Sequence, residues 1–314
     1  MSEKTKVYAV VGPTASGKTA LSIEIAKRMN GEIISCDSMQ IYKRMNIGTA
    51  KPTKEEMGDV VHHLIDIVEP CTEFSCADYS ILAKEKIDDI VSRNKVPIFC
   101  GGTGLYIDHV LNNTSFSDAK RDDEYRAYLE KEIKDGNIEK IYSLLKEIDP
   151  ISAEAIHPNN TKRVIRALEI YHTTGKTKSR WDAESKKTES VYDSKVICLD
   201  FKNREVLYDR INRRVDIMVE CGLVDEVKSL YDDKTETLSN SAMQGIGYKE
   251  FFPYFEGKCS LEQAIEDVKR LSRNYAKRQL TWFRRHEEYK KIYVDECKSF
   301  DDIVNIAEKY FKNN

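Results

Sequence analysis

The sequence lacks several features that would place it in a specialised class of protein. No stretch approaches the roughly 20 consecutive apolar residues of a membrane-spanning helix. The N-terminus runs from Met1 into a strand-like segment at Lys6 without the apolar stretch of a secretory signal. Internal repeats and low-complexity tracts are also missing. We therefore expect a cytoplasmic, soluble globular protein that does not associate with a membrane.

Paired cysteines and a strong charge of one sign are missing as well. The eight cysteines are scattered and form no CxxC pair, which argues against a zinc site. There are 50 Lys and Arg against 53 Asp and Glu, so the net charge is −3. This balance says nothing about an acidic partner, and any nucleic-acid binding must come from a local patch. Apolar residues make up 40% of the 314 positions, which is enough for a sizeable core.

The pattern of apolar runs and helical segments predicts an α/β fold. Four short apolar runs are predicted as strands, at 6–11, 32–35, 96–100 and 195–200. Segments of helical composition or periodicity occur at 20–29, 77–92, 122–134, 138–147, 161–172, 204–220, 224–231, 242–255 and 261–285. Strand and helix alternate with short connections, which argues for a parallel sheet with helices on both faces. We predict core segments at 1–115 and 192–314, and a helical insertion domain at 116–191.

A phosphate-binding motif follows the first predicted strand. It fits the pattern G-x-x-x-x-G-K-[ST] and consists of Gly12, Pro13, Thr14, Ala15, Ser16, Gly17, Lys18 and Thr19. Its glycines let successive backbone amides point at one anion, and the start of the next helix adds partial positive charge. Lys18 supplies a mobile cation, and the Thr19 hydroxyl is placed to ligate Mg²⁺. The motif predicts binding of a polyphosphate or pyrophosphate, with ATP or GTP as the default ligand.

The partner residues of a nucleotide hydrolase or kinase are poorly represented. Such a protein normally carries an apolar strand that ends in an aspartate supporting the magnesium ion. Here the third predicted strand ends in glycine, and the only later strand with a terminal carboxylate ends at Asp200. The guanine-binding sequence N-K-x-D is absent. A P-loop kinase therefore stays open as an alternative, without its second motif.

Two further loops follow predicted strands and should lie at the same edge of the sheet as the phosphate loop. Asp37 follows the second strand and precedes Ser38, Met39 and Gln40; the polar members of this set could hydrogen-bond a nucleobase edge. A Gly-Gly-Thr-Gly loop presents the hydroxyl of Thr103 after the third strand. A single aspartate after a strand is more often a helix cap or turn residue. The neighbouring polar groups favour a functional role for this one.

A local basic patch lies near the C-terminus. Between Val268 and His286 there are seven Lys or Arg residues and no Asp or Glu. On a helix, one stripe would contain Arg270, Arg273, Lys277 and Arg284. A stripe of a single sign favours phosphate contact over an ordinary solvated face, which usually mixes signs. A smaller basic cluster within the predicted insertion consists of Lys162, Arg163 and Arg166.

Together these motifs resemble those of the tRNA dimethylallyltransferase family, also called tRNA isopentenyltransferases. The matching segments, in the family's order, are GPTASGKT (12–19), DSMQIYKRMNIGTAKP (37–52), HHLIDIVEP (62–70), PIFCGGTGLYI (97–107), KRVIRALEIYHTTGK (162–176), RINRRVDIMVECGLVDEV (210–227), GIGYKE (245–250) and KRQLTWFR (277–284). The resemblance implies a P-loop kinase-like core with an inserted all-helical domain that clasps the anticodon stem-loop of tRNA. The implied reaction moves a dimethylallyl group from dimethylallyl pyrophosphate to the exocyclic amine of the adenosine 3′ of the anticodon, releasing pyrophosphate.

The resemblance also implies roles for individual residues. Asp37 is the implied general base, and Thr103 would hydrogen-bond near the reacting centre. Lys18, Thr19 and Arg214 would bind the pyrophosphate and its developing charge, with Mg²⁺ held by Thr19. The residues that match tRNA-contacting segments are Asp37, Ser38, Met39, Gln40, Thr103, Arg126, Lys162, Arg163, Val164, Ile165, Arg166, Lys277, Arg278, Gln279 and Arg284. We expect the chain to act as a monomer.

Three hypotheses about function stay open at the level of the sequence. The first is prenyl transfer to tRNA. The second is a small-molecule enzyme on the same scaffold, either an adenylate isopentenyltransferase or a nucleoside-type kinase. The third is a P-loop protein that binds nucleic acid without transfer chemistry. The basic helix and the insertion favour the first over the second, since a free nucleotide needs neither. The loops that carry Asp37 and Thr103 favour the first over the third.

Overall fold

A computed structural model describes most of the chain. The described residues are 4–112, 122–185, 190–233, 241–242 and 245–313. The chain divides into two compact units, one of Met1–Leu111 with Val191–Asn314 and one of Asn112–Ser190. We call them the core unit and the helical unit. The predicted boundary between 115 and 116 lies outside the described residues.

The core unit is built on a parallel sheet. Its strands are β1 (Thr5–Val11), β2 (Gly31–Ser35), β3 (His62–His63), β4 (Val96–Gly101), β5 (Tyr192–Asp200) and β6 (Lys290–Tyr293). They lie in the order β3-β2-β4-β1-β5-β6, and every neighbouring pair is parallel. The predicted parallel sheet is confirmed, and the four predicted strands are its four central members.

Helices account for most of the remaining described residues. In chain order they are α1 (Lys18–Met29), α2 (Lys54–Met57), α3 (Cys76–Ser92), α4 (Gly104–Leu111), α5 (Asp123–Lys134), α6 (Ile138–Ile148), α7 (Pro150–Ala155), α8 (Thr161–Thr174), α9 (Lys178–Ser185), α10 (Arg204–Glu220), α11 (Leu223–Asp232), α12 (Phe252–Phe255), α13 (Leu261–Phe283) and α14 (Phe300–Lys312). Within the described ranges, no helix combines the length and the apolar character needed to cross a bilayer.

Both faces of the sheet are covered, as the alternation of side chains along β1 demonstrates. Val7, Ala9 and Val11 belong to a buried cluster with side chains of α3 and α4. Tyr8 and Val10, which point to the opposite face, belong to a second cluster with side chains of α1 and α14. Because successive strand residues face opposite sides, a strand that is apolar at every position must be covered twice. The predicted helices on both faces are confirmed.

Two predictions of secondary structure are wrong in detail. The predicted helix at 242–255 is replaced, in its described residues, by a 3₁₀ turn at Lys249–Phe251 followed by the single turn of α12. Gly247 has φ 98°, a left-handed value that interrupts an α-helix. The edge strands β3 and β6 were not predicted. Each is short and largely polar, because an edge strand buries little side-chain surface.

The helical unit comprises α5 to α9 and has its own hydrophobic core. Leu129, Leu145 and Leu168 are fully buried there, and each comes from a different helix. No strand occurs among the described residues of this unit, in agreement with the helical character predicted for it. Apolar side chains recur on one face of each helix, so that packing of these faces excludes water from a separate core.

Candidate active site

Three loops of the core unit meet at the carboxyl edge of the sheet. In the register of the strands, Val11 of β1 lies beside Gly101 of β4, and Cys100 of β4 lies beside Ser35 of β2. Because these strands end at the same level, the phosphate loop, the loop containing Thr103 and the loop containing Asp37 are neighbours. This edge is the usual place for ligands in open α/β sheets.

The phosphate loop curls tightly before α1. Ala15 and Gly17 both have left-handed backbone angles, with φ 62° and φ 91°. No described side chain caps the first turn of α1, so the backbone N–H groups at this end are available to an anion. Lys18 Nζ donates to the carbonyl of Pro13 over 3.3 Å. Burial lowers the pKa of Lys18, and the nearby side chains of Cys100 and Asp37 act in the opposite direction.

Helix α10 brings two arginines to this loop. Arg210 Nε donates to the carbonyl of Ala15 over 2.8 Å, which ties the helix to the loop. Arg214, one turn further along, lines the cavities beside Lys18. Burial lowers the pKa of Arg214, although a guanidinium stays protonated under such conditions. Among the described residues Arg214 forms no salt bridge. Arg214 is partly buried and lines the cavities, and a cation in this position without a salt bridge among the described residues favours an anionic ligand.

Two cavities meet at the phosphate loop. Their volumes are about 320 Å³ and about 620 Å³. Both are lined by Lys18, Thr19, Arg214 and Met218. The larger one adds cationic residues, namely Lys51, Arg210 and Arg213. Side chains from both cavities could therefore contact an anion bound at the phosphate loop.

The smaller cavity combines a carboxylate with an apolar wall. Asp37 lines it together with Lys18 and Arg214. The apolar part of the wall consists of Ile211, Val215, Met218, Leu223, Ile246 and Val268. A base, two cations and an apolar surface are thus brought together, which suits a ligand with a charged end and a hydrocarbon end.

Hydrogen bonds fix the loops around Asp37. One carboxylate oxygen, Oδ1, accepts from the backbone N–H of Met39 over 2.9 Å, which forms a local turn. The N–H of Ser38 donates to Thr103 Oγ1 over 3.0 Å. The Tyr275 hydroxyl is also hydrogen-bonded to Thr103, and burial raises the pKa of this phenol. Tyr275 also lines the smaller cavity.

The Gln40 side chain, predicted to contact a nucleobase edge, is hydrogen-bonded within the chain. Its Oε1 accepts from the Ser35 hydroxyl over 2.9 Å. Its Nε2 donates to the carbonyls of Thr49 and Ala50 over 3.3 and 3.2 Å. Both ends of the amide therefore support the wall of the smaller cavity, which Gln40 also lines. The contact of Gln40 with a nucleobase stays a prediction.

A further support for the same wall comes from two residues to which the sequence analysis assigned no role. Glu226 accepts the backbone N–H groups of residues 46–48, over 2.8, 2.8 and 3.1 Å. It also accepts from the Tyr248 hydroxyl over 2.8 Å. Tyr248 lines the cavity with Gly245 and Gly247, so the Gly-x-Gly-Tyr turn belongs to the site and not only to the core. The Glu226 carboxylate and the loop that it holds are far apart in the chain, so the sequence does not reveal their contact.

The basic stripe on α13 is less uniform than the sequence indicates. Arg270 is paired with Asp267, which lies just before the carboxylate-free segment, over 2.7 Å. Arg273 donates to Asn212 Oδ1 of α10 over 2.5 Å. Lys277 and Arg278 are exposed, and Arg278 also lines the smaller cavity. Within the stripe, Arg270 and Arg273 are thus engaged by an acidic and an amide side chain, whereas Lys277 stays exposed to a partner.

Arg284, at the end of α13, is engaged with the last residue of β5. Its Nε and Nη2 donate to the two carboxylate oxygens of Asp200 over 2.9 and 2.8 Å. Asp200 is 1% exposed. The carboxylate that a P-loop kinase would use for magnesium is therefore occupied by this arginine, which leaves the kinase hypothesis without its second motif.

In the helical unit, some of the predicted tRNA contacts are exposed and others are buried. Lys162 and Arg163 are exposed at the start of α8. Val164 and Ile165 are 2% and 4% exposed and pack in the core of the unit. Their assignment as tRNA contacts is therefore corrected, because side chains of adjacent positions on a helix point in different directions.

Two of the three arginines predicted as tRNA contacts in the helical unit converge on one carboxylate. Arg126 Nη2 and Arg166 Nη1 donate to Glu169 Oε2 over 2.7 and 2.8 Å. Glu169 also accepts the backbone N–H of Asp122 over 3.1 Å and is fully buried. Burial by itself would raise the pKa of Glu169, but the hydrogen bonds from both arginines outweigh it and lower that pKa.

Gln279, also predicted as a tRNA contact, is 5% exposed and lines the smaller cavity. Its direct contact with tRNA stays a prediction. Its amide joins the backbone of Thr14 to that of Gly102, so that it lies between two loops of the site.

The donor set at the phosphate loop fits a magnesium ion. Mg²⁺ usually keeps several waters and takes one or two protein oxygens together with phosphate oxygens of the substrate. The Thr19 hydroxyl lines both cavities beside Lys18 and is such an oxygen. The described residues contain no group of three His, Cys, Asp or Glu side chains that could hold a metal by themselves. A metal at this site would therefore be held jointly with the ligand.

Comparisons with known proteins give this geometry a context. A model of the family described as IPP transferase matches residues 40–286, and one described as isopentenyl transferase matches residues 5–70. A tRNA dimethylallyltransferase of Bacillus licheniformis is 54% identical over 281 residues, which are 90% of this chain and 88% of that protein. The crystal structure of the full-length tRNA isopentenylpyrophosphate transferase of Bacillus halodurans is 46% identical, with a TM-score of 0.72 over 98% of this chain and 95% of that one. A eukaryotic dimethylallyltransferase acting on tRNA, known from crystallographic snapshots, is 31% identical, with a TM-score of 0.84 over 99% of this chain and 80% of that one.

Proposed function

This chain belongs to the IPP transferase family, and from that membership we propose its reaction. The protein is a prenyltransferase that moves a dimethylallyl group from dimethylallyl pyrophosphate to the exocyclic amine of the adenosine 3′ of the anticodon in tRNA. Pyrophosphate is released. The observation that carries the proposal is that Asp37, Lys18 and Arg214 line one cavity with an apolar wall.

The cations act on the leaving group. When the allylic carbon–oxygen bond breaks, negative charge moves onto the pyrophosphate. Lys18, Arg214 and the N–H groups at the start of α1 would stabilise that charge more in the transition state than in the ground state. Their burial strengthens this effect, because water does not screen them. Magnesium held by Thr19 and the phosphates would neutralise further charge on the leaving group.

Asp37 acts on the nucleophile. The exocyclic amine of adenine is weakly nucleophilic because its lone pair is delocalised into the ring. As the new carbon–nitrogen bond forms, the amine loses one proton, and the carboxylate of Asp37 would accept it. A general base contributes about 10²–10⁴-fold to the rate. The Thr103 hydroxyl, hydrogen-bonded to Ser38 and Tyr275, would orient the amine beside the base.

Exposed basic side chains supply the proposed contacts with tRNA phosphates. On α13 these are Lys277 and Arg278, and in the helical unit they are Lys162 and Arg163. Phosphate contacts of this kind give affinity and orientation. A free nucleotide would not need them, which favours tRNA over an adenylate acceptor. We further propose that the protein is a cytoplasmic monomer.

An acceptor assay tests the function. The protein is incubated with labelled dimethylallyl pyrophosphate and Mg²⁺, together with unmodified tRNA, AMP or no acceptor. We expect label on the tRNA alone, at a single adenosine 3′ of the anticodon, with one pyrophosphate released for each label transferred. Label on AMP but not on tRNA would establish the adenylate isopentenyltransferase hypothesis instead.

A separate arm distinguishes transfer from nucleotide chemistry. ATP replaces the prenyl donor, and release of inorganic phosphate is measured with and without tRNA. We expect no phosphate release above the rate without protein. Hydrolysis or phosphoryl transfer that depends on Lys18 would favour the kinase hypothesis.

A further inference from the structure

We infer that Gln279 is a positioning residue that holds the phosphate loop and the Thr103 loop at a fixed spacing. This inference rests on the proposed function, because it assigns the two loops to the two partners of the transfer reaction. The phosphate loop holds the leaving group, and the Thr103 loop orients the amine. Gln279 lies at the edge of the smaller cavity, and its amide acts through the backbone of both loops.

The two ends of the Gln279 amide bond to different loops. Its Oε1 accepts the backbone N–H of Thr14 over 2.9 Å. Its Nε2 donates to the backbone carbonyl of Gly102 over 3.0 Å. The three residues are separated by 265 and 177 positions along the chain, so this bridge is purely tertiary. One rigid amide therefore sets the distance between the two loops.

Gln279 is buried, unlike the two residues that precede it in the segment KRQLTWFR (277–284). Gln279 is 5% exposed, whereas the preceding residues Lys277 and Arg278 are exposed. A buried amide that satisfies both a donor and an acceptor is a specific link, because a side chain of other chemistry leaves a buried backbone group without its partner. The exposed residues of the motif can face RNA while Gln279 faces the loops.

The glycine at position 102 is explained by this contact. A Cβ atom added there would lie 2.1 Å from Gln279 Nε2. One turn further along α13, the Trp282 ring lies against Gly104 of the same loop, where a Cβ would be 2.2 Å from the ring. Trp282 Nε1 donates to Asp108 Oδ2 over 2.9 Å, which fixes the ring. Helix α13 thus packs on both sides of Thr103, with Gln279 extending the contact to the phosphate loop.

The spacing matters because the reaction joins two separately held partners. The allylic carbon leaves the pyrophosphate as it bonds to the amine, so that small errors in the distance between them slow the chemical step. A displacement of about 1 Å can cost roughly 10²-fold in rate. Loss of the Gln279 bridge should therefore lower kcat, with little effect on the binding of tRNA.

The test uses the full-length protein in the tRNA transfer assay. Gln279→Met keeps the length of the side chain and removes both hydrogen bonds. We expect kcat at saturating tRNA and dimethylallyl pyrophosphate to fall on the order of 10²-fold. The Kd for tRNA and its dependence on salt should be unchanged. The matched control is Gln263→Met, an exposed glutamine in the first turn of the same helix, which should leave all three quantities as in the wild type.

A second variant provides a readout that a merely structural role would not move. In Gln279→Glu the introduced carboxylate still accepts from Thr14 but repels the Gly102 carbonyl. Once protonated, the introduced carboxyl can again donate and accept, as the amide does. The ratio of the variant's kcat to that of the wild type should therefore rise as the pH falls. This variant decides the matter if Gln279→Met does not fold.

The outcomes separate this inference from the proposed function. Unchanged kcat in Gln279→Met, or a ratio for Gln279→Glu that does not vary with pH, would overturn the positioning role. Weaker tRNA binding with unchanged kcat would favour the direct tRNA contact. If the wild type itself transfers no label to tRNA, the proposed function fails, and the assignment of the two loops to the two reaction partners is overturned with it.

Discussion

Two arginine sites, one in each unit, differ in what balances their charge. In the helical unit, Arg126 and Arg166 both donate to the buried carboxylate of Glu169. In the core unit, Arg214 is partly buried beside Lys18 and forms no salt bridge within the described ranges. The first site is complete within the chain. The second carries positive charge that the described part of the chain does not neutralise by direct pairing.

The difference follows from the cost of burying charge. A buried ion that is paired and hydrogen-bonded can be tolerated as part of a fold, whereas a buried ion without a partner lowers stability. Such a group is retained where it binds something from outside, and on the proposed function that ligand is pyrophosphate. We therefore expect the arginines of the helical unit to contribute to folding and Arg214 to contribute to catalysis. The following predictions test that division.

The largest effect is expected from the carboxylate that faces Arg214 across the cavity. Asp37→Ala should lower kcat for transfer by about 10²–10⁴-fold, because no group then accepts the proton of the amine. Binding of dimethylallyl pyrophosphate, measured by calorimetry, should be nearly unchanged. Asp209→Ala, at an exposed aspartate of α10, is the control and should transfer normally. Normal turnover in the Asp37 variant would remove it as the base.

Arg214→Ala should separate catalysis from stability. We expect kcat/KM to fall by about 10²–10³-fold, the usual cost of removing a group that stabilises developing charge. The free energy of unfolding, measured with urea, should not decrease, because the lost cation had no salt bridge within the described residues. Arg284→Ala is the matched arginine, and it should lower that free energy, since it leaves the buried carboxylate of Asp200 without its partner. Equal losses of stability in both variants would contradict the comparison.

The helical unit should respond in the opposite way. Glu169→Gln leaves Arg126 and Arg166 without their carboxylate, and the free energy of unfolding should fall by about 1–3 kcal/mol, towards the lower value since both arginines are partly exposed. Because the pKa of Glu169 is lowered in the folded state, its contribution is present above the unfolded pKa and is lost as the pH falls through the folded pKa.

The pH dependence is the decisive measurement for that variant. The difference in stability between wild type and Glu169→Gln should be constant at neutral pH and should shrink in acid, below the ordinary glutamate value of 4.5. Glu130→Gln, at an exposed glutamate of α5, should show no difference at any pH. A difference that grows in acid would mean that Glu169 is not held in its charged form.

The smallest effect concerns the exposed part of α13. Replacing Lys277 and Arg278 together by alanine should reduce the slope of log K against log salt for tRNA binding by about 1–2, since each lost phosphate contact accounts for about 0.7–0.9. Arg270→Ala should change the slope less, because Asp267 already neutralises that charge. An equal change in the slope for both variants would show that pairing within the helix does not matter for RNA binding.

Sequence patterns located the site well where the chemistry is local. The phosphate loop lies between a strand and a helix in an uninterrupted segment, so the motif and its context suffice to predict it. Asp37 and Thr103 follow strands of a parallel sheet, and the topology brings such residues to one edge. Gln40 and Gln279 were predicted as ligand contacts, and the sequence did not indicate that both also hydrogen-bond backbone groups of loops, because an amide bonds a loop as well as it does a base. Only its partners in the fold distinguish the two.

The sequence by itself determined the parallel sheet, the phosphate loop and the residue types of the site, because each depends on local spacing and on the periodicity of apolar residues. The tertiary structure decided which charges are neutralised. Asp200 and Glu169 are committed to arginines distant in sequence, Glu226 holds a loop, and Arg214 has no salt bridge among the described residues. These pairings depend on distances of a few ångströms between segments far apart in the chain. No spacing in the sequence encodes them, since they arise only when the elements pack.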